Sequence, residues 1–340
     1  MSEAMRRSKF ACNAVALVFS IAASSLSAQQ KPQWMPGQVG LNAGILPSPG
    51  FTYVNIDENY DAGTYNNSKG NAVPVTGTYN VWAIENLFYF VPDTKFLGGN
   101  LGFDIMFPTP ATGSLVADIS NPQLPNLGAA GGGSGLADLW VQPFTVGWHL
   151  KRWDIQVGDA FMIPTGRYSP GASTNVGSGY FGNHLQTGTT YYITKSKGTS
   201  ANLFTDWEVH GPRQGTNNTY KTPGQAFTDE WGVGQVLPLK KDFSKLMQVG
   251  LVGYDQWQVT ANGGQIPIGL TGLTLPARVL PYYSVHAIGG QLNYILPAKN
   301  FSLFFKGYHE YSASSHTLGN TLVFGGAWTM LIPKPPPPKS

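Results

Sequence analysis

Residues 101–107 read Leu101-Gly102-Phe103-Asp104-Ile105-Met106-Phe107 (LGFDIMF). Leu101, Phe103, Ile105 and Phe107 alternate with Gly102, Asp104 and Met106, the period of two that marks a strand with one wholly apolar face. An ionised acid beside such a face needs polar surroundings on its own side. A soluble sheet supplies them if Asp104 faces bulk water. A barrel in a bilayer supplies them if Asp104 faces the lumen and the apolar residues face lipid.

Composition separates the two. Charged residues make up 11% of the 340-residue chain, against roughly 25% in soluble domains. Aromatic residues reach 13%, and there are 42 glycines. Residues 1–28 read as a signal peptide: a basic start (Arg6, Arg7, Lys9), an apolar core from Phe10 to Ala23, and the small residues SSLSA before a cleavage point near Ala28. That core is shorter than the roughly 20 residues of a spanning helix. The single cysteine, Cys12, falls inside it, which leaves the mature chain without disulfides, thiolate-bound metals or a cysteine nucleophile. The remaining charges nearly balance and give no electrostatic reason to expect nucleic acid. No mature stretch holds 18 uninterrupted apolar residues, so no transmembrane helix is expected. These features together point to an outer-membrane β-barrel, with a secreted β-sandwich as the soluble alternative.

Strand signals recur twelve times, at about 50–60, 76–90, 99–109, 136–149, 153–163, 181–194, 200–210, 226–237, 245–258, 279–296, 300–311 and 319–332. In FSLFFKGYHEY, Phe301, Leu303 and Phe305 oppose Ser302, Lys306 and Glu310. Phase stays open over 136–149 and 226–237, where apolar residues fall on both faces. Short connections such as LKR, KSKGT and PAKN alternate with long ones at 61–75, 110–135, 164–180, 211–225 and 259–278, followed by a brief loop at 312–318. This alternation is expected when all short turns share the periplasmic rim and all long loops the outer one. The reading is therefore an all-β, closed antiparallel transmembrane β-barrel of about 12 strands in the bacterial outer membrane. Residues 29–49 form an N-terminal segment, periplasmic or lumenal, residues 50–332 the barrel, and residues 333–340 a Pro-rich periplasmic tail.

Strand phase places Asp104, Asp154, Gln156, Asp206, Glu208, Lys306 and Glu310 in the lumen, together with Gln248, Gln291 and Asn293. A basic residue at mid-depth on the lipid side would cost on the order of 2–4 kcal/mol, an acid somewhat less. Trp82, Trp140, Trp148, Trp153, Trp207, Trp257 and Trp328 read as the interface girdle.

Several short patterns resemble the outer-membrane family named for the meta-cleavage pathway of phenol degradation: PSPGF (47–51), LGGNLGFDIMFP (97–108), GLADLWVQP (135–143), PTGRY (164–168), PGQAF (223–227) and GLVGYDQWQVT (250–260). The resemblance implies a barrel of roughly twelve strands that passes aromatic or other hydrophobic compounds across the outer membrane.

For such passage the candidate capture residues on the outer loops are Arg167, Tyr168, Tyr180 and Phe181. Gly131, Gly132 and Gly133 could form a mobile flap. Arg167 could also meet a phosphate of lipopolysaccharide. Catalytic patterns are weak: G-x-S-x-G and H-E-x-x-H are absent, and only YHEYSASSH groups His309, Ser314 and His316. Asp57, Glu58 and Asp61 form an acidic rim without an EF-hand pattern, so no metal and no cofactor is expected. The expected partners are outer-membrane lipid and lipopolysaccharide, small hydrophobic solutes and, in biogenesis, the barrel-assembly machinery. The function read from the sequence is passive uptake through a lumen whose charges pair with one another. A non-conducting structural barrel and a lipid-modifying barrel enzyme are the alternatives.

Overall fold

The apolar alternation forms one continuous ladder of hydrogen bonds. The computed structural model describes residues 32–73, 78–117, 129–170, 172, 174–215, 221–267 and 273–330. Residues 1–28, read as a signal peptide, residues 333–340, read as a Pro-rich tail, and residues 118–128 of the second outer loop lie outside them. Twelve antiparallel strands build the wall: β1 (Gly50–Asn66), β2 (Thr78–Val91), β3 (Gly99–Ala117), β4 (Leu139–His149), β5 (Trp153–Ile163), β6 (Gly182–Tyr192), β7 (Thr199–His210), β8 (Ala226–Pro238), β9 (Leu246–Gln258), β10 (Ser284–Leu296), β11 (Phe301–Ser314) and β12 (His316–Met330). Each strand pairs with its sequence neighbours, and β1 pairs with β12 from Phe51↔Met330 to Asn66↔His316. The sheet is a closed barrel, the architecture that leaves no backbone edge facing lipid. Among the described residues no helix is long and apolar enough to cross a membrane.

Closure fixes what the alternation means. Phe90, Leu185, Leu203, Val233, Leu251, Leu292, Phe305, Leu322 and Phe324 all stand on the outer surface, between 44% and 53% exposed. In a soluble sandwich this belt would be a large unprotected apolar patch; around a barrel it is the lipid contact. The chain is an outer-membrane β-barrel. Trp82, Trp153, Trp207 and Trp328 stand on the same outer surface near strand ends, where amphipathic rings favour the membrane–water interface.

Three features depart from the sequence reading. A tilted span needs only about 9–11 residues, yet β1 has 17 and β12 has 15, so the outer ends of the long hairpins rise past the bilayer. The residues read as a loop at 312–318 are mostly strand, turned by Ser315 alone with φ +49°. The third is Pro143, which carries no N–H for the ladder. The pairing of β4 shifts there against both β3 and β5. This bulge turns Gln142 and Thr145 both inward and leaves Phe144 outside, which is why alternation failed to phase 136–149. Trp140, read as girdle, is only 3% exposed and points into the barrel.

Candidate functional site in the barrel lumen

A polar interior needs partners for its polar atoms, and the segment before β1 supplies them. Residues 32–49 run inside the lumen. Gln33 meets Ser178 and Tyr180 near the outer rim, and Leu46 packs over Gly102 and Gly147 near the periplasmic one. The wall holds this strap mainly by its backbone. Glu208 on β7 accepts from the Gln33 and Trp34 amides at 2.8 and 3.1 Å. Glu230 on β8 accepts from the Val39 and Gly40 amides at 2.8 and 3.0 Å and from the Trp34 indole at 3.0 Å. Gln291, Asn202 and Thr190 accept from the amides of Leu41, Asn42 and Gly44. From the other side Lys306 donates to the carbonyls of Gly37, Gln38 and Val39. Such charge-assisted bonds are roughly twice as strong as neutral ones.

The approach is close enough to dictate glycine on both sides. A Cβ on Gly44 would lie 2.0 Å from the Asp154 carbonyl oxygen, and one on Gly188 would lie 1.9 Å from that of Ala43. The strap leaves part of the lumen empty. A cavity of about 360 Å³ lies beside it, lined by Trp34, Ile56, Leu87, Met106, Trp140 and Phe204 and by the polar groups of Asp104, Thr145 and Gln156, among others. Trp34 contacts Trp140 and Phe204 at ring-centroid distances of 5.6 and 5.2 Å.

The lumenal candidates divide by partner. Asp104 (6% exposed) accepts from the Trp140 indole at 3.0 Å. Asp154 accepts from the Tyr192 hydroxyl and pairs with His149, and Gln156 donates to the Ala43 carbonyl. Asp206 pairs with His184 at 3.0 Å, both fully buried. Glu208 also pairs with His210 at 2.9 Å, and Glu310 accepts from Tyr60, Tyr254 and the Gly319 amide. The charges therefore do not simply neutralise one another: Glu208, Glu230 and Lys306 are directed at the strap's main chain. Glu58, read as part of a solvated rim with Asp57 and Asp61, instead faces inward and receives the Gln38 amide together with Glu85.

The structure does not bring the loop capture residues together. Tyr180 is buried (1%), while Phe181 faces outward and stacks on Phe161 at 5.6 Å. Arg167 donates to the Thr174 carbonyl of its own loop, and Tyr168 packs over Gly179. Gly131 and Gly132 pair with β3 instead of forming a free flap. His309 lies on the exposed face bonded to Asn320, while the His316 ring donates to the Thr317 carbonyl, so these residues do not converge on Ser314. Sequence reading missed Trp34, Gln38, Leu41 and Asn42 of the strap, and Glu85 and Glu230 of the wall.

Asp138 anchors the outer loop. Its carboxylate accepts from the Gly166 amide at 3.0 Å and from the Ser178 amide and hydroxyl at 2.7 and 2.5 Å. Asp138→Ala is expected to free the loop and to cost about 1–3 kcal/mol through the lost buried acceptor. Trypsin should then cleave after Arg167 in the folded barrel, and continued resistance would show that other contacts hold the loop.

The fold is similar to that of an outer membrane channel from Pseudomonas putida F1, at 12% identity and TM-score 0.62, over 88% of this chain and 100% of that one. The β domain of the Bordetella autotransporter BrkA aligns at 9% identity and TM-score 0.46, over 83% of this chain and 100% of that one. The toluene transporter TbuX of Ralstonia pickettii aligns at 14% identity and TM-score 0.39, over 85% and 91%. The last two fall below the level at which a shared fold is implied. No curated protein sequence matches the chain. The model of the family described as "Putative MetA-pathway of phenol degradation" matches residues 62–324, from the upper part of β1 to the middle of β12, and with that span covered the chain belongs to this family.

Proposed function

We propose that this barrel is a passive channel for small hydrophobic or aromatic compounds, which move along the gap between the strap and the wall. The observation that carries the reading is the cavity of about 360 Å³ inside the lumen, within the roughly 300–1,000 Å³ of small-molecule sites and lined by apolar and polar side chains in nearly equal measure. Membership of the phenol-degradation family and the shared fold with an outer membrane channel support it. Export by residues 1–28, lipopolysaccharide around the outer belt and help from the barrel-assembly machinery belong to the same reading. The test is uptake of toluene and phenol into vesicles whose outer leaflet is lipopolysaccharide, with and without the protein. Faster entry with protein is expected. Equal entry supports a second reading, a closed structural barrel, which is favoured by the bonds that hold the strap from Gln33 to Gly44.

A further inference from the structure

The rim of the barrel that holds Gly50 and Met330 is built from five short turns, which join β2 to β3, β4 to β5, β6 to β7, β8 to β9 and β10 to β11. Those turns carry nine basic residues against two acids, Asp93 and Asp242. Asp242 is spent on the Ser244 amide and hydroxyl. Lys95 donates to Asn100, Lys197 to the Leu150 carbonyl, and Arg152 to the carbonyls of Tyr192 and Ile193. The other six, Lys151, Lys195, Lys240, Lys241, Lys245 and Lys299, are exposed and make no side-chain bond to the described residues. Like charges crowded onto one rim repel one another unless anions lie among them.

The same turns expose apolar tips. Leu97 is 76% exposed, Phe243 63% and Leu150 49%, each within two residues of a rim cation. Leu97 and Phe243 also hold left-handed backbone, with φ +49° and +58°, where glycine or asparagine would be the cheaper residue. Bulky apolar side chains at such positions gain nothing from water and gain a good deal from a lipid interface. We infer that this periplasmic rim is a collar for anionic phospholipid of the inner leaflet. Its free lysines meet the headgroup phosphates, and its apolar tips lie among the headgroups against the acyl boundary. A cell-wall polymer bearing carboxylates would satisfy the lysines and offer nothing to Leu97 and Phe243. The collar does not depend on what the lumen carries.

The test is electron spin resonance of the full-length barrel in phosphatidylcholine bilayers that hold a trace of spin-labelled phosphatidylglycerol or spin-labelled phosphatidylcholine. One lysine at an anionic lipid surface is worth about fivefold in association, so the barrel should retain phosphatidylglycerol about fivefold over phosphatidylcholine. The preference should fall below about twofold in 1 M sodium chloride, where the screening length is about 3 Å. Replacing the six unbonded lysines by glutamine should remove it in the same way, with heat-modifiable gel mobility showing that the barrel has folded. Equal retention of the two lipids by the unaltered protein, or an unchanged preference in the six-lysine variant, would overturn the assignment. Absence of a lipid preference together with co-sedimentation on peptidoglycan sacculi would replace it with a cell-wall contact. The apolar half is read separately from Phe243→Cys carrying a fluorophore, since Cys12 within residues 1–28 is the only natural cysteine. Its emission should be quenched by a nitroxide at the lipid headgroup and shielded from aqueous acrylamide; the reverse pattern would overturn the collar. If the six-lysine variant does not fold, the salt series on the unaltered protein and the Phe243→Cys label still decide.

Discussion

A chain lacking residues 32–46 is expected to conduct ions, with a single-channel conductance about tenfold or more above that of the full-length protein. Eight-stranded barrels are filled by their own side chains, and sixteen-stranded ones hold water, which leaves a twelve-stranded lumen dependent on its contents. Here the contents are the strap. Its removal leaves an aqueous column lined by Glu58, Glu85, Glu208, Glu230 and Glu310, against Lys306 and the two histidines His184 and His210. The pore should therefore prefer cations. Planar-bilayer recordings in potassium chloride read both properties, and heat-modifiable gel mobility confirms that the shortened chain has folded. Conductance equal to that of the full chain would mean that the walls close up by themselves, and the strap would lose its role as the filler.

The second large effect concerns Lys306. Its ammonium sits, 2% exposed, between the carbonyls of Gly37, Gln38 and Val39, within the field of Glu230, Glu58 and Glu85. Lys306→Met removes the cation and leaves both the carbonyls and the acids uncompensated. Removing one member of a buried charged set costs about 3–5 kcal/mol, so the free energy of unfolding from lipid vesicles in urea should fall by about that much. Glu85 has one carboxylate oxygen without a partner. Adding Glu85→Gln to Lys306→Met should therefore recover about 1 kcal/mol or more, a coupling that a double-mutant cycle isolates. Independent, additive losses would show that Lys306 serves the strap alone and not the acids.

Much of the barrel was legible in the sequence, for a simple reason. Lipid on one side and a shared axis on the other force a two-residue alternation, which β11 obeys from Phe301 to Glu310 and β12 from Gly319 onward. Reading failed where another constraint competed. Pro143 cannot donate to the ladder, so β4 bulges, and Trp140 goes to the lumen instead of the girdle. Tyr180 and Phe181 are adjacent aromatics in sequence, yet the bend just before β6 sends them to opposite sides, so one is buried and the other is outside. The place of residues 29–49, periplasmic or lumenal, stayed open for a different reason: side chains of the wall bond the strap's backbone, and that leaves no periodic pattern in residues 32–49. A signal existed elsewhere. Gly232, Gly234 and Gly250 stand at lumenal positions, and Leu41 rests on all three at about 3 Å from where a Cβ would be. Glycines on an inward face mark a place where something else comes close.

That mode of attachment decides where sequence information must be kept. Glu208, Glu230, Gln291, Asn202, Thr190 and Lys306 read peptide groups, which every residue carries, so much of the insert is recognised by its path. Drift is therefore cheap at the strap positions whose side chains make no bond, provided that Gly44 stays small, Leu41 keeps its seat, and Gln33, Trp34, Gln38 and Asn42 keep their side-chain partners. The wall residues carry the opposite burden: one changed carboxylate there disturbs several amides at once, so the specification of the insert is written in the barrel that surrounds it.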